Sequence, residues 1–245
     1  MTLPSAASSC AAKSGEFTAA LVELYTSEGC DSCPPADRWL SGLGRSYRPG
    51  QIVPLSLHVD YWDYIGWKDP YAKRAFSDRQ RKLSQLQKLA FVYTPQVMLQ
   101  GSDFPGWGSP AFDSAVERIN ARKAKARLEL SIASLKGDRI TLETLAELAD
   151  PAHGKDAVVY VAAYENKLSS AVTAGENRGR TLDHDYVVLE WQGPREFPPN
   201  GRLTDRRDLS LLPKAVPAHS GVVAFVQNRR TAEVLQALML PACPG

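Results

Sequence analysis

Long apolar runs are missing from this 245-residue sequence. Its most hydrophobic stretches are of strand length, well short of the roughly 18 consecutive apolar residues of a spanning helix, so no integral membrane segment is expected. An excess of charge of either sign is missing as well. The 29 Lys and Arg residues stand against 27 Asp and Glu, a formal net charge of +2, and nothing in that balance points to a nucleic-acid partner or a polybasic membrane surface. Internal repeats and low-complexity tracts are absent. Cysteine is scarce, with four residues at positions 10, 30, 33 and 243. No second C-x-x-C and no H-x-x-x-H accompanies the pair at 30 and 33, so a zinc site lacks its other ligand pair. No metal and no cofactor are expected from this inventory. The segment Met1 to Gly15 also lacks the hydrophobic stretch of a signal peptide. It fits either a cytosolic protein or a mature chain whose leader has been removed. An even cysteine count, with one at each end, suits an oxidising compartment, so a periplasmic or secreted location is expected.

What is present is ordinary globular material: 44% hydrophobic and 23% charged residues, enough to build a core. The length exceeds the usual single domain of roughly 100 to 200 residues, so two domains are expected. Phe17 to Thr26 is an apolar, β-prone run broken by Ser27, Glu28 and Gly29. From Pro34 the spacing turns helical, with Trp39, Leu40 and Leu43 on one face. Ile52 to Val59 reads as a strand, with Pro54 placing it at a strand start or a sheet edge. Ala72, Phe76, Arg79, Leu83, Leu86 and Ala90 mark a second helix. Gln96 to Gln100 is a short strand, and Ser109 and Pro110 open a third helix with Phe112, Ala115, Val116 and Ile119 inward. This alternation implies an α/β layer over residues 16–126. Beyond Ala126 the texture becomes that of short strands: a hairpin through Lys136 to Asp138, then Ala157 to Tyr164, Leu182 to Trp191, Leu209 to Leu212 and Val222 to Gln227. Ala232 to Leu240 is open between strand and helix. An all-β, sandwich-like domain over residues 127–245 is expected.

The chemistry concentrates in Gly29-Cys30-Asp31-Ser32-Cys33-Pro34. A C-x-x-C between a strand and a helix puts its first sulfur near the helix N-terminus, where free N–H groups and the positive end of the dipole stabilise a thiolate. Cys30 is therefore the candidate nucleophile and Cys33 the resolving cysteine. The substrates of such a pair would be protein thiols or disulfides. His58, ending its strand beside Tyr61, Trp62 and Trp67, belongs to an aromatic-rich patch that either lines a substrate groove or packs as core. A competing class is a non-catalytic binding module for protein or metal, in which His58 would join Cys30 and Cys33 in a copper-chaperone-like set. Cys10 and Cys243 are candidates for a structural disulfide tying the two ends of the chain. Glu176, Asn177, Arg178, Arg180, His184 and Asp185 form a dense polar cluster, either a site or charges satisfying one another at a domain interface. Nothing in the sequence sets an oligomeric state.

The dithiol and the later Thr94-Pro95-Gln96 before a strand resemble the thioredoxin superfamily. The resemblance implies a thioredoxin-like fold for the first domain and a cis Pro95 packed against the dithiol. It leaves the backbone at Thr94 to pair with substrate. It also implies a buried carboxylate on the strand before the dithiol, for which Glu23 is the candidate, one residue off the usual place. Asp31 and Ser32 replace the usual Gly-Pro dipeptide. The stretches VELYTSEGCDSCPPAD, LSLHVDYWDYIGWKDPYA, VYTPQVMLQG and GENRGRTLDHDYVV are similar to a bacterial secreted thioredoxin-like family of unknown function, domain-of-unknown-function family 1223. That resemblance spans most of the chain and implies export and a two-domain layout, without a substrate.

Overall fold

Alternating and helical patterns resolve, in a computed structural model describing residues 10–243, into fourteen strands and three α-helices. Residues 1–9 of the Met1 to Gly15 segment lie outside the described residues. In chain order the elements are β1 (Ala11–Lys13), β2 (Ala20–Thr26), α1 (Pro34–Ser46), β3 (Ile52–His58), a 3-10 turn (Asp60–Ile65), α2 (Arg74–Leu86), β4 (Gln96–Leu99), β5 (Ser102–Asp103) and α3 (Pro110–Asn120). Then follow β6 (Ala126–Lys136), β7 (Arg139–Leu148), β8 (Ala157–Glu165), β9 (Leu168–Ala171), β10 (Thr181–His184), β11 (Val187–Glu196), β12 (Arg202–Ser210), β13 (Ser220–Asn228) and β14 (Val234–Pro241).

Strands from both sides of residue 126 share one eight-stranded sheet, in the order β14-β13-β8-β11-β3-β2-β4-β5. The pairs β2/β3 and β3/β11 are parallel and the others antiparallel. A second sheet, β1-β6-β7-β12, is antiparallel throughout. Period-2 alternation decides what covers each face. On one face Leu21, Tyr25, Val53, Leu55, Leu57, Tyr160 and Phe225 pack with Phe76 and Leu83 of α2. On the other, Val22, Leu24, Val97 and Leu99 meet Leu40 and Leu43 of α1 and Phe112 and Ile119 of α3. Further along that same face Val159, Val161, Val222 and Ala224 pack against Leu128, Leu130, Ile140 and Leu142 of the smaller sheet. The short-stranded segment thus does build a sheet-on-sheet core, but one of its sheets is the continuation of the first half's own.

Four local expectations are revised or settled. Leu182 to Trp191 is two strands, because the chain leaves the β9/β10 pair and enters the large sheet at Tyr186, which adopts φ 58°. The charged RLTDRRDLS segment is strand from Arg202 onward, paired along its whole length with β7; its alternation is masked because only Leu203 and Leu209 are buried. Ala232 to Leu240 resolves as a strand beginning at Val234. Pro54 lies inside β3 rather than at its start, and β11 meets β3 only at Val187 and Ser56, so Pro54 takes no partner on that side.

Candidate functional site

β2 runs straight into the turn Ser27 to Ser32, and α1 begins with Cys33 as its N-cap, followed by Pro34 and Pro35 where a missing N–H costs nothing. Cys30 and Cys33 are joined as a disulfide with Cα atoms 5.4 Å apart. The turn is tied by Cys30 N–H to Ser27 O (3.1 Å) and Cys33 N–H to Cys30 O (3.3 Å). Cys33 is fully buried and Cys30 is 1% exposed, so only Asp31 and Ser32 show at the surface. The cover comes from the 3-10 turn. A side chain at Gly29 would begin 3.1 Å from Trp62 Cβ and 3.2 Å from Ile65 Cδ1, so glycine lets the two pack closely on the dithiol turn. Trp62 in turn donates its indole N–H to Thr94 Oγ1 at 2.8 Å. The Thr94-Pro95 bond is cis, and the pairing of Tyr25 with Gln96 brings Pro95 to the end of β2.

Beneath the turn, on the α1 face, lies a buried polar cluster. Glu28 accepts from Trp67 Nε1 (2.8 Å) and lies 3.1 Å from His184 Nε2. Asp69 accepts from the Glu28 backbone (2.8 Å) and pairs with His58 Nδ1 at 2.7 Å. Burial alone would lower the His58 pKa, but Asp69, joined by Asp37 and Glu28, holds it above the ordinary value. Burial alone would raise Asp69, yet His58 and two backbone N–H groups hold it below the usual carboxylate range. The His58 and His184 rings stand edge to face, 4.9 Å apart. Asp37 lies one turn beyond Cys33 on α1, and residues so spaced share a helix face. Burial pushes its carboxyl up, against the opposing pull of His184 and His58.

Three expected roles change. Glu23 faces away from α1, on the α2 side, and is bound through both oxygens to Arg79 (2.5 and 3.0 Å). Odd residues of β2 face α2 and even ones face α1, so a carboxylate on that strand one residue off register is turned from the dithiol. Asp37, by contrast, is a buried carboxylate on α1, four residues after Cys33. His58 is fully buried against Asp69, which removes it from any open groove and from a metal set with the joined sulfurs. Among the described residues no cluster of three or more His, Cys, Asp or Glu is arranged to hold a metal. Trp62 and Trp67 are half-buried and spend their indole N–H groups on Thr94 and Glu28, so they cover the turn and fix its walls. Cys10 and Cys243 are paired, with Cα atoms 5.6 Å apart, and no cysteine is free.

A family profile described as protein of unknown function (DUF1223) matches residues 21–227. The chain belongs to that family. No curated protein matches it. Among solved structures, protein AGR_C_4864 from Agrobacterium tumefaciens is similar at TM-score 0.67 and 24% identity, over 95% of this chain and 98% of that one. HBP35 of Porphyromonas gingivalis is similar at TM-score 0.69 and 16% identity, over 93% of this chain and 76% of that one. At these identities the likeness is one of fold.

In this DUF1223 chain the polar cluster at 176–185 divides. Asn177 and His184 are buried against the dithiol turn, Asn177 Nδ2 donating to Glu28 O (2.8 Å) and Cys30 O (2.9 Å). Glu176 accepts from Asp31 N–H at 3.1 Å. Asp185 instead accepts from Lys167 N–H, at the far end of β10. Asp37, Glu28 and Asp69 carried no sequence signal that set them apart from helix and loop carboxylates. Their significance comes from burial, which a single sequence does not display.

Proposed function

We propose that this chain is a thiol-disulfide oxidoreductase of the cell envelope, built on a thioredoxin-like unit and working through Cys30 and Cys33. The observation that carries the reading is the Cys30–Cys33 pair at the start of α1, entered directly from β2. In the reducing direction, the Cys30 thiolate attacks a sulfur of a protein disulfide, forming a mixed disulfide and releasing one substrate thiolate. Cys33, its proton passed to Asp37, then attacks Cys30 Sγ and releases the second thiol, so two electrons leave the dithiol and the Cys30–Cys33 bond closes. The opposite direction uses the same steps in reverse. Asp37 suits the proton step because its carboxyl is pushed up by burial and lies one turn from Cys33. All four cysteines being paired supports an oxidising location outside the cytoplasm.

The cover over Cys30 favours a second reading, a binding module in which the disulfide is structural. Insulin reduction separates the two. Wild type is expected to accelerate turbidity and Cys30→Ser to fall to the uncatalysed rate. Equal rates for both proteins, or a disulfide that stays closed in excess dithiothreitol, would overturn the oxidoreductase reading in favour of the binding module.

A further inference from the structure

Asn177 is an outlier among the residues around the dithiol. It comes from the second half of the chain, 147 residues beyond Cys30, and it is completely buried. Its amide nitrogen spends both hydrogens on main-chain carbonyls that bracket the turn, those of Glu28 and Cys30. The orientation is fixed from behind, because Arg180 Nη1 donates to Asn177 Oδ1 at 2.8 Å. A flipped amide would set oxygen against two carbonyl oxygens and nitrogen against a guanidinium. The arm that delivers it holds its own shape. Between β9 and β10, Gly179 N–H donates to Val172 O, Val172 N–H to Arg180 O and Arg178 N–H to Gly175 O. Gly175, at φ +71°, lets the arm lie against Ile65 and Trp67, where a side chain would begin 3.3 Å from each. The arm thus carries main-chain bonds of its own, and the Asn177 amide hydrogens go to the turn.

We infer that Asn177 is a positioning residue for the dithiol, its amide holding the Cys30 carbonyl so that the two sulfurs stay within bonding reach and the couple is more reducing. The inference rests on the oxidoreductase reading and names what tunes that site. Its physics is that of effective concentration. The equilibrium between disulfide and dithiol depends on how closely the backbone keeps the two sulfurs together once the bond opens. Two buried donors on the turn restrict the dithiol state more than the disulfide, which is already held by its covalent bond. Without them the opened turn gains freedom, the dithiol is favoured, and the potential rises.

The test is equilibrium with glutathione, in which Cys30–Cys33 plus two glutathione thiols gives the dithiol plus one glutathione disulfide, read by alkylation and mass. It needs no protein substrate. Asn177→Ala and Asn177→Asp are expected to shift the equilibrium about tenfold toward the dithiol, the scale of one hydrogen bond, which is about 30 mV for a two-electron couple. Arg180→Ala, which leaves the amide in place but unanchored, is expected to shift it less in the same direction. A purely structural residue would lower the unfolding midpoint of oxidised and reduced protein alike and leave the glutathione equilibrium within twofold of wild type. That outcome in the folded variants overturns the inference while leaving the oxidoreductase reading intact. A wild-type pair that never opens overturns both. Should the alanine variant not fold, the near-isosteric Asn177→Asp and the Arg180→Ala proteins decide.

Discussion

Single residues show how burial turns an ordinary carboxylate into a chemical group. Asp37 is nearly buried, and one of its oxygens has no hydrogen-bond partner, which keeps its folded pKa above its unfolded one. A group so shifted binds its proton more tightly in the folded state. The oxidised protein therefore loses stability as pH rises from the ordinary aspartate value through the folded one. Asp37→Asn is expected to stabilise the oxidised protein at pH 7 relative to wild type, because the amide carries no charge to bury. The gain should vanish as pH falls below the ordinary aspartate value, and urea titrations across that range measure it. In the exchange assay the same variant should slow the resolving step. Cys30 and Cys33 stood out in the sequence because a C-x-x-C between a strand and a helix start is a local pattern, and Pro95 stood out only through the resemblance to the thioredoxin superfamily. Asp37 did not, because nothing local separates it from a solvated helix carboxylate.

Elements are held together by side chains that the sequence places correctly but does not explain. Arg79 projects from α2 into the sheet, where it binds Glu23 of β2 and stands over the rings of Tyr160, Trp191 and Phe225, at 5.0, 4.6 and 5.1 Å. The residue stood on the inward stripe of the expected helix, an unusual place for a guanidinium, and its partner stood on the strand. Arg79→Leu leaves Glu23 buried without a counter-ion and is expected to destabilise by about 3 to 5 kcal/mol. The double variant Arg79→Leu with Glu23→Leu should lose much less than the sum of the two single changes, as a double-mutant cycle in denaturant would measure. Because this pair lies on the α2 face, the dithiol equilibrium with glutathione should be unmoved in every variant that folds. The β9–β10 arm makes the complementary point. Its polar residues were visible as a cluster, yet their targets, Glu28, Cys30 and Asp31, lie far away in sequence.

Across the whole molecule the two halves are tied twice, by the eight-stranded sheet and by the Cys10–Cys243 disulfide, whose ends are 233 positions apart in sequence. Closing so long a loop restricts the unfolded chain strongly. Replacing both cysteines with alanine is expected to cost about 2 to 5 kcal/mol. Reducing agent should shift the unfolding midpoint of the wild type much more than that of the double variant, whose remaining disulfide spans a short turn.

The sequence by itself determined the local grammar of this DUF1223 chain: a C-x-x-C entered from a strand and leading into a helix, three helices with definite inward stripes, and a strand-rich second half. Those features depend on periodicity, caps and prolines, which act over a few residues. Only the tertiary structure decided that the second half extends the first half's sheet, that Glu23 turns to the α2 face while Asp37 is buried on α1, and that Asn177 closes on Cys30. Sheet order, the face a strand presents and the burial of a carboxylate are set by contacts between segments far apart in the chain, and no local pattern encodes them.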